Sequence, residues 1–423
     1  MESQSVLLRI RKRTMPECLS GYLFIMPFLL AFLTEVVNLP GIIKYTLDLC
    51  WLLLMIFVFF HKNFLIEKKI APFVLFVCIY LLYVFVVYLF NFQSPFYFLW
   101  GVRNNFRVYA AFLSFAIFFD EIDANFLLRL IDVIFWINIA VTGYQFFILG
   151  YNQDYLGGIF GIERGCNSYS LVLFAIVLSK SLLSYMNDTE KAIPCFLKCG
   201  AAIIAAAMAE LKVFFLFIIL IFAIAVILTK FSWKKVVLFL FVSLVFVFAG
   251  NLLTAIFGED QQISIDRFYQ LITASNYSSY NDLGRLTAIP TISDSFLKSW
   301  PDRLFGMGLG NCDTSTFAIC NTPFFETYQA LHYSWFSSAF LFLETGYVGL
   351  MMNNLFFIIC LILSVGKLRK KRNNILFCQL CIIMSILCIV FTFYNSSLRT
   401  EVGYIAFFIL ALPFMAQGNS NIQ

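Results

Sequence analysis

Apolar runs about 20 residues long recur along almost the whole chain, and nothing else in the sequence limits its fold so severely. A helix of that length crosses a hydrocarbon core of roughly 30 Å. Within such a core every backbone N–H and C=O must be satisfied by the protein itself, which leaves helices or closed barrels. Barrel strands are short and alternate apolar with polar residues, whereas residues 213–228 are apolar at every position. The sequence therefore predicts an all-α, polytopic transmembrane helical bundle. Charged residues make up 13% of the chain, against about 25% in soluble domains, so lipid is the solvent for most of it.

Twelve candidate spans can be drawn, at roughly 18–37, 43–60, 70–90, 104–119, 126–150, 168–186, 193–209, 212–229, 236–256, 336–364, 375–395 and 401–416. The basic run Arg9-Ile10-Arg11-Lys12-Arg13 precedes the first. The apolar run from Cys18 to Val37 is long for a signal peptide and no small-residue cleavage site follows it, so a retained first helix is expected. Short cytoplasmic loops collect Lys and Arg. With the N-terminus inside, three dense basic clusters fall on the cytoplasmic side: Lys62, Lys68 and Lys69; Lys230, Lys234 and Lys235; and Lys367, Arg369, Lys370, Lys371 and Arg372. Both termini are then expected in the cytoplasm, with the chain in a bacterial cytoplasmic membrane. The long polar stretch 258–331 must face outward. The organisation expected is transmembrane helices over 1–257, a large outer loop with short helices over 258–335, and further transmembrane helices over 336–423.

The twelve cysteines lie mostly within apolar runs and form no answering CxxC pairs, so no metal site is expected. Cys312 and Cys320, in the outer loop, form either a disulfide in an oxidising compartment or two free thiols.

Candidate chemistry concentrates on the outward side. Arg103, Arg107, Arg164, Arg267, Arg285, Arg303 and Arg399 all fall there, against the trend that keeps basic residues inside. A set of guanidinium groups suits the binding of phosphate oxygens; pairing with nearby carboxylates or lipid headgroups is the alternative for each. His332 stands where the large loop returns to the membrane, while His61 lies among cytoplasmic lysines. His332 is thus the natural general base of the outer face, or a headgroup contact. Glu35, Asp48, Glu210, Lys212 and Glu344 sit toward the outer ends of their spans. That distribution fits an outward-facing cavity better than a midplane transport path, although Glu210 and Lys212 equally suit the cap of a helical hairpin. Tyr269, Tyr277, Tyr280, Trp300 and Tyr328 offer rings either to sugars or to the membrane interface.

The order of motifs adds a resemblance. The loop reads Gly284-Arg285-Leu286, then Ser299-Trp300-Pro301-Asp302-Arg303-Leu304-Phe305-Gly306-Met307-Gly308-Leu309-Gly310. His332-Tyr333-Ser334-Trp335 follows, and then Leu343-Glu344-Thr345-Gly346-Tyr347-Val348-Gly349-Leu350. This order resembles the O-antigen polymerase and O-antigen ligase superfamily of bacterial envelopes, as does Gly158-Ile159-Phe160-Gly161-Ile162-Glu163-Arg164-Gly165-Cys166-Asn167. The layout matches over most of the chain and the motifs over about 284–350. The family usually carries Asn after its histidine, where Tyr333 stands here.

The resemblance implies an inverting, metal-independent glycosyl transfer outside the membrane, with no cofactor and no nucleotide sugar. The donor implied is an undecaprenyl-pyrophosphate-linked oligosaccharide; membrane lipid and a chain-length-regulating protein are the other partners expected, and no nucleic acid. It implies His332 and Arg285 as catalytic residues, with Arg164, Arg303, Arg103, Arg107, Lys212 and Glu344 toward the substrate. A polymerase of repeat units is favoured by the Phe-rich composition, 53 Phe in all. A ligase transferring the chain to lipid A core or to protein is the alternative within the family, and a polysaccharide flippase the rival from another class.

Overall fold

The computed structural model describes residues 13–60, 69–230, 232–257, 282–315, 317–370 and 374–416. Arg9 to Lys12, His61, Lys62, Lys68, Arg267, Tyr269, Tyr277, Tyr280, Lys371 and Arg372 lie outside the described residues.

A helix stands at each of the twelve expected places. They are α1 (Met15–Ala31), α2 (Thr46–Phe60), α3 (Ala71–Asn91), α4 (Pro95–Phe118), α5 (Glu121–Phe147), α6 (Asn167–Met186), α7 (Ala192–Met208), α8 (Lys212–Leu228) and α9 (Trp233–Phe257). Short α10 (Ala288–Ser295), α11 (Trp300–Phe305) and α12 (Pro323–Tyr328) follow, then α13 (Ser337–Arg369), α14 (Ile375–Tyr394) and α15 (Gly403–Ala411). Seven helical segments are long and apolar enough to cross a membrane: Met15–Val36, Gly41–Phe60, Ala71–Asn91, Glu121–Phe147, Asn167–Met186, Ser337–Arg369 and Ile375–Tyr394. Ala192–Met208, Lys212–Leu228 and Gly403–Phe414 are apolar but shorter.

Two helices begin well before their apolar runs. Pro95 occupies the first turn of α4, where its missing N–H costs nothing and its fixed φ suits the helix, so Arg103, Asn104, Asn105 and Arg107 become helical. α5 starts at Glu121 because the Asp120 side chain accepts the N–H groups of Ile122 and Asp123. Hydrophobicity alone is blind to both starts.

Burial follows from lipid as solvent. α6 is central, with 94% of its apolar window buried, against 33% for α3. Phe90 and Ile227, each 79% exposed, turn outward from the bundle. α5, α6 and α7 are joined by an internal ion cluster that the sequence reading does not single out. Lys180 Nζ lies 2.6 Å from Asp132, and Lys198 Nζ 3.2 Å from Asp132 and 2.8 Å from Glu190.

The two ends of the bundle differ. At one end Arg13 pairs with Asp123, Lys234 with Asp188, and Lys367 Nζ donates to the Pro413 carbonyl at 2.6 Å. α5 runs from there to the opposite end, where the segments around 150–166, 209–212, 282–336 and 395–402 gather. Segment 282–336 is built onto α13: Leu283, Ala288, Ile292, Leu297, Cys312 and Tyr333 share one buried cluster with Ala339, Leu341 and Leu343.

The glycine pattern shared with the resemblance has a mechanical role in this fold. α13 breaks at Gly346, whose φ of 61° and ψ of −165° are not helical. The break leaves carbonyls without helical donors, a condition tolerated in a membrane protein only when other groups satisfy them. The Gly306-Met307-Gly308 turn does so, since the Met307 N–H donates to the Leu343 carbonyl and the Gly308 N–H to the Glu344 carbonyl, both at 2.9 Å. Tyr83 Oη donates to the Thr345 carbonyl at 2.6 Å. Gly310 presses backbone to backbone against α4, where a Cβ would overlap the Tyr97 carbonyl oxygen. Loop, α3, α4 and the broken helix therefore interlock.

Candidate functional site

Five chain segments wall a cavity of about 620 Å³ at the loop-rich end of the bundle. The loop between α5 and α6 supplies Asp154 and Arg164, and the α7–α8 turn supplies Glu210 and Lys212. Arg285 comes from the start of the 282–336 segment, His332 and Trp335 from its end, and Tyr394, Asn395 and Ser396 from the end of α14.

His332 is held where it is by backbone. It closes the 3-10 turn Gln329–Leu331, with its N–H on the Gln329 carbonyl, and opens the next turn, Tyr333–Trp335, with its carbonyl accepting the Trp335 N–H, both at 3.0 Å. Serving both turns puts His332 in the left-handed region, at φ 51° and ψ 29°. Its ring stacks on Trp335 with centroids 4.0 Å apart and planes 18° from parallel. Nδ1 lies 3.8 Å from Oδ2 of the buried Asp282, and the Leu283 N–H donates to the Leu331 carbonyl, tying the two segments together. At 3.8 Å the pair is longer than a hydrogen bond. With Nδ1 turned toward a carboxylate, Nε2 is the nitrogen left to meet a ligand.

Three non-glycine residues lining this cavity, Gln153, Glu210 and His332, have positive φ, out of six among the described residues. Such conformations cost about 1 kcal/mol or more each and collect where a structure holds side chains for function. Glu210 is the turn residue of the α7–α8 hairpin, and its carboxylate lies 3.1 Å from Lys212 Nζ. Hairpin cap and cavity wall are thus the same two residues.

Arginines line the cavity against aromatic rings. The Arg285 guanidinium lies 4.4 Å from the centre of the Tyr394 ring and 5.9 Å from that of Phe336. Arg164, exposed, stands 5.3 Å from the Trp335 ring that also carries His332. Stacking of this kind fixes the plane of a guanidinium. With Lys212, the lining holds three cations against the carboxylates of Asp154 and Glu210.

The other arginines singled out in the sequence lie elsewhere at this end of the bundle. Arg103 grips Asp48 with Nε and Nη2 at 2.9 and 2.7 Å, and its Nη1 donates to Asn104 at 2.5 Å. Arg107, nearly fully buried, pairs with Glu401 at 3.0 Å and donates to the Arg399 carbonyl at 2.6 Å. For these two, pairing with carboxylates holds. Arg103 lines a second cavity of about 450 Å³, together with Tyr45, Trp100, Asn104, Asp313 and Arg399. Arg303 lines neither cavity; its Nε donates to the Leu297 carbonyl at 3.0 Å, with Asp294 3.5 Å away. Glu344 also lines neither. It is fully buried beneath the glycine turn, where it accepts the Cys312 N–H at 3.2 Å. Of the eight site residues read from the sequence, the structure brings together His332, Arg285, Arg164 and Lys212.

Tyr333 is an anchor. It is buried and donates from Oη to the Cys312 carbonyl at 2.6 Å, fastening the histidine turn to the glycine loop. Burial raises its phenol above the usual range. Cys312 and Cys320 are both free and buried. Burial first, then the charges of Glu344 and Asp313, push the Cys312 thiol well up. Among the described residues no group of three or more His, Cys, Asp or Glu converges as metal ligands would. No motif in the sequence marks Asp282, Asp154 or Tyr394, which the fold brings to this end of the bundle. No protein-family model and no curated protein matches the chain.

Proposed function

We propose that this chain is a membrane glycosyltransferase that polymerises undecaprenyl-pyrophosphate-linked oligosaccharide repeat units on the outer face of the bacterial cytoplasmic membrane. In this reading it crosses the membrane twelve times with both termini in the cytoplasm. The observation that carries the reading is the convergence of His332, Arg164, Arg285 and Lys212, from four separate segments, on one cavity. The pattern of basic loops supports the orientation.

The chemistry follows from the groups present. As the bond between the anomeric carbon and the phosphate oxygen breaks, its electron pair passes to the pyrophosphate. Fixed cations beside that developing charge lower the barrier. The acceptor hydroxyl attacks the anomeric carbon from the opposite face, a new glycosidic C–O bond forms with inversion, and the hydroxyl proton passes to His332 Nε2. Arg285 and Arg164 hold the pyrophosphate, while Asp282 steadies the imidazole as it gains charge.

A transporter reading has one observation in its favour, the ion cluster of Asp132, Lys180 and Lys198 inside the bundle. Its charges are mutually paired and line neither cavity. Surface-polysaccharide laddering separates the readings. In cells lacking the native gene, His332→Ala and Arg285→Ala should abolish long chains while the protein stays in the membrane at normal amount. Single-repeat products indicate a lost polymerase; complete loss of surface sugar points instead to a ligase or flippase.

A further inference from the structure

The second cavity differs in chemistry from the first although it adjoins it. Its partition is built from residues 334–336 and 394–396: Trp335 and Phe336 line the first cavity, Ser334 lines the second, and Ser396 lines both. Ser396 therefore stands at the boundary the two cavities share.

The donors of Arg103 in the second cavity are already engaged. All three nitrogens of the Arg103 guanidinium donate to Asp48 and Asn104. Arg399 lies 3.6 Å from Asp313 and stacks on Phe340, its guanidinium 3.4 Å from the ring centre. A phosphate binding Arg103 would have to displace Asp48 and Asn104 from it, at the cost of breaking charge-assisted bonds. Lys44 is the remaining lining cation, and it stands at the Tyr45 ring, 5.3 Å from its centre. What this cavity offers instead is hydroxyl, amide and carboxylate groups, from Asn104, Asp313, Thr314, Ser315 and Thr400. Beside them is an aromatic shelf. Trp100, half-buried, is fixed by its Nε1–H on the Thr314 carbonyl at 3.0 Å, and Tyr45 and Phe317 lie 6.3 and 6.0 Å from it between ring centres. Indole faces cover the C–H side of a sugar ring, while fixed carboxylate and amide groups meet its hydroxyls.

We infer that this cavity binds the neutral, non-phosphorylated end of an oligosaccharide and presents its acceptor hydroxyl across Ser396 to the His332 cavity. The inference rests on the glycosyl-transfer reading for its direction, but its site is separate. One cavity takes the pyrophosphate, the other takes sugar alone.

The test uses the full chain in lipid nanodiscs and two probes. One is undecaprenyl pyrophosphate; the other is the free reducing oligosaccharide released by mild acid from the host's lipid-linked repeat units. Trp100→Ala should weaken oligosaccharide binding about tenfold and leave undecaprenyl pyrophosphate binding within about twofold. Asn104→Ala should do the same by loss of the lining amide that Arg103 and Asp313 hold in place, and retained lipid binding shows that either variant is folded. Arg285→Ala should show the reverse pattern. The inference is overturned if the wild-type protein does not bind the oligosaccharide, if both Trp100→Ala and Asn104→Ala bind it normally, or if Arg285→Ala loses it. Oligosaccharide binding that depends on Trp100, without any binding of undecaprenyl pyrophosphate, would instead sink the glycosyl-transfer reading and leave this sugar site standing.

Discussion

Replacing Arg285 by alanine separates the arginines that line the His332 cavity from those that line the second cavity. Arg285 is half-buried, lies against Tyr394 and Phe336, and lines the cavity that holds His332. A charge-assisted hydrogen bond from such a group contributes about 1.5–3 kcal/mol. The Coulomb energy of a unit pair at 4 Å and an effective dielectric of 20, about 4 kcal/mol, sets the ceiling. Arg285→Ala should then weaken undecaprenyl pyrophosphate binding by about 2–3 kcal/mol, or roughly 30–150-fold. Arg285→Lys keeps the charge but loses the planar fork and its stacking on Tyr394, and should recover only part of the affinity. Arg103→Ala should leave lipid affinity within about twofold, because the Arg103 donors are engaged with Asp48 and Asn104. Titration of the lipid into protein held in nanodiscs measures all three. Wild-type affinity in Arg285→Ala, or equal losses in Arg285→Ala and Arg103→Ala, would refute the division of the arginines.

Other expectations follow from particular contacts. Asp282→Asn should lower kcat by at least about tenfold with KM nearly unchanged, since the carboxylate stands 3.8 Å from His332 and outside the cavity lining; steady-state kinetics with lipid-linked oligosaccharide reads the split. Gly310→Ala should destabilise the fold by about 1–3 kcal/mol, because its Cβ would overlap the Tyr97 carbonyl, and thermal unfolding in detergent would show a lowered midpoint. Asp132→Ala leaves Lys180 and Lys198 without their shared partner and should cost about 3 kcal/mol, visible as reduced membrane abundance. Adding Lys180→Met to that variant should restore part of the loss.

The helices were legible because lipid imposes a simple rule on residues such as those of 213–228, and a helix is found at every place where an apolar run was read. The starts at Pro95 and Glu121 were not, because polar first turns carry helix-start chemistry rather than hydrophobicity. The arginines were legible as a class, since their position beyond the apolar runs is unusual. Which of them meet carboxylates was not, because Arg103 meets Asp48 and Arg107 meets Glu401 across long sequence separations. The glycine motif was visible as a pattern, yet its work, satisfying carbonyls freed by the break at Gly346, appears only once α13 and the loop are side by side. Asp132, Lys180 and Lys198 each lay in plain view within an apolar run, and only their meeting in space explains how lipid tolerates them.

The most direct measurement reconstitutes the purified chain with its lipid-linked oligosaccharide and follows two products together, chain length and free undecaprenyl pyrophosphate. The wild-type protein should lengthen the oligosaccharide and release one lipid pyrophosphate for each new glycosidic bond, while His332→Ala binds the lipid and does neither. Lipid-linked oligosaccharide that crosses the bilayer unchanged, or chain growth undiminished in His332→Ala, would contradict the account.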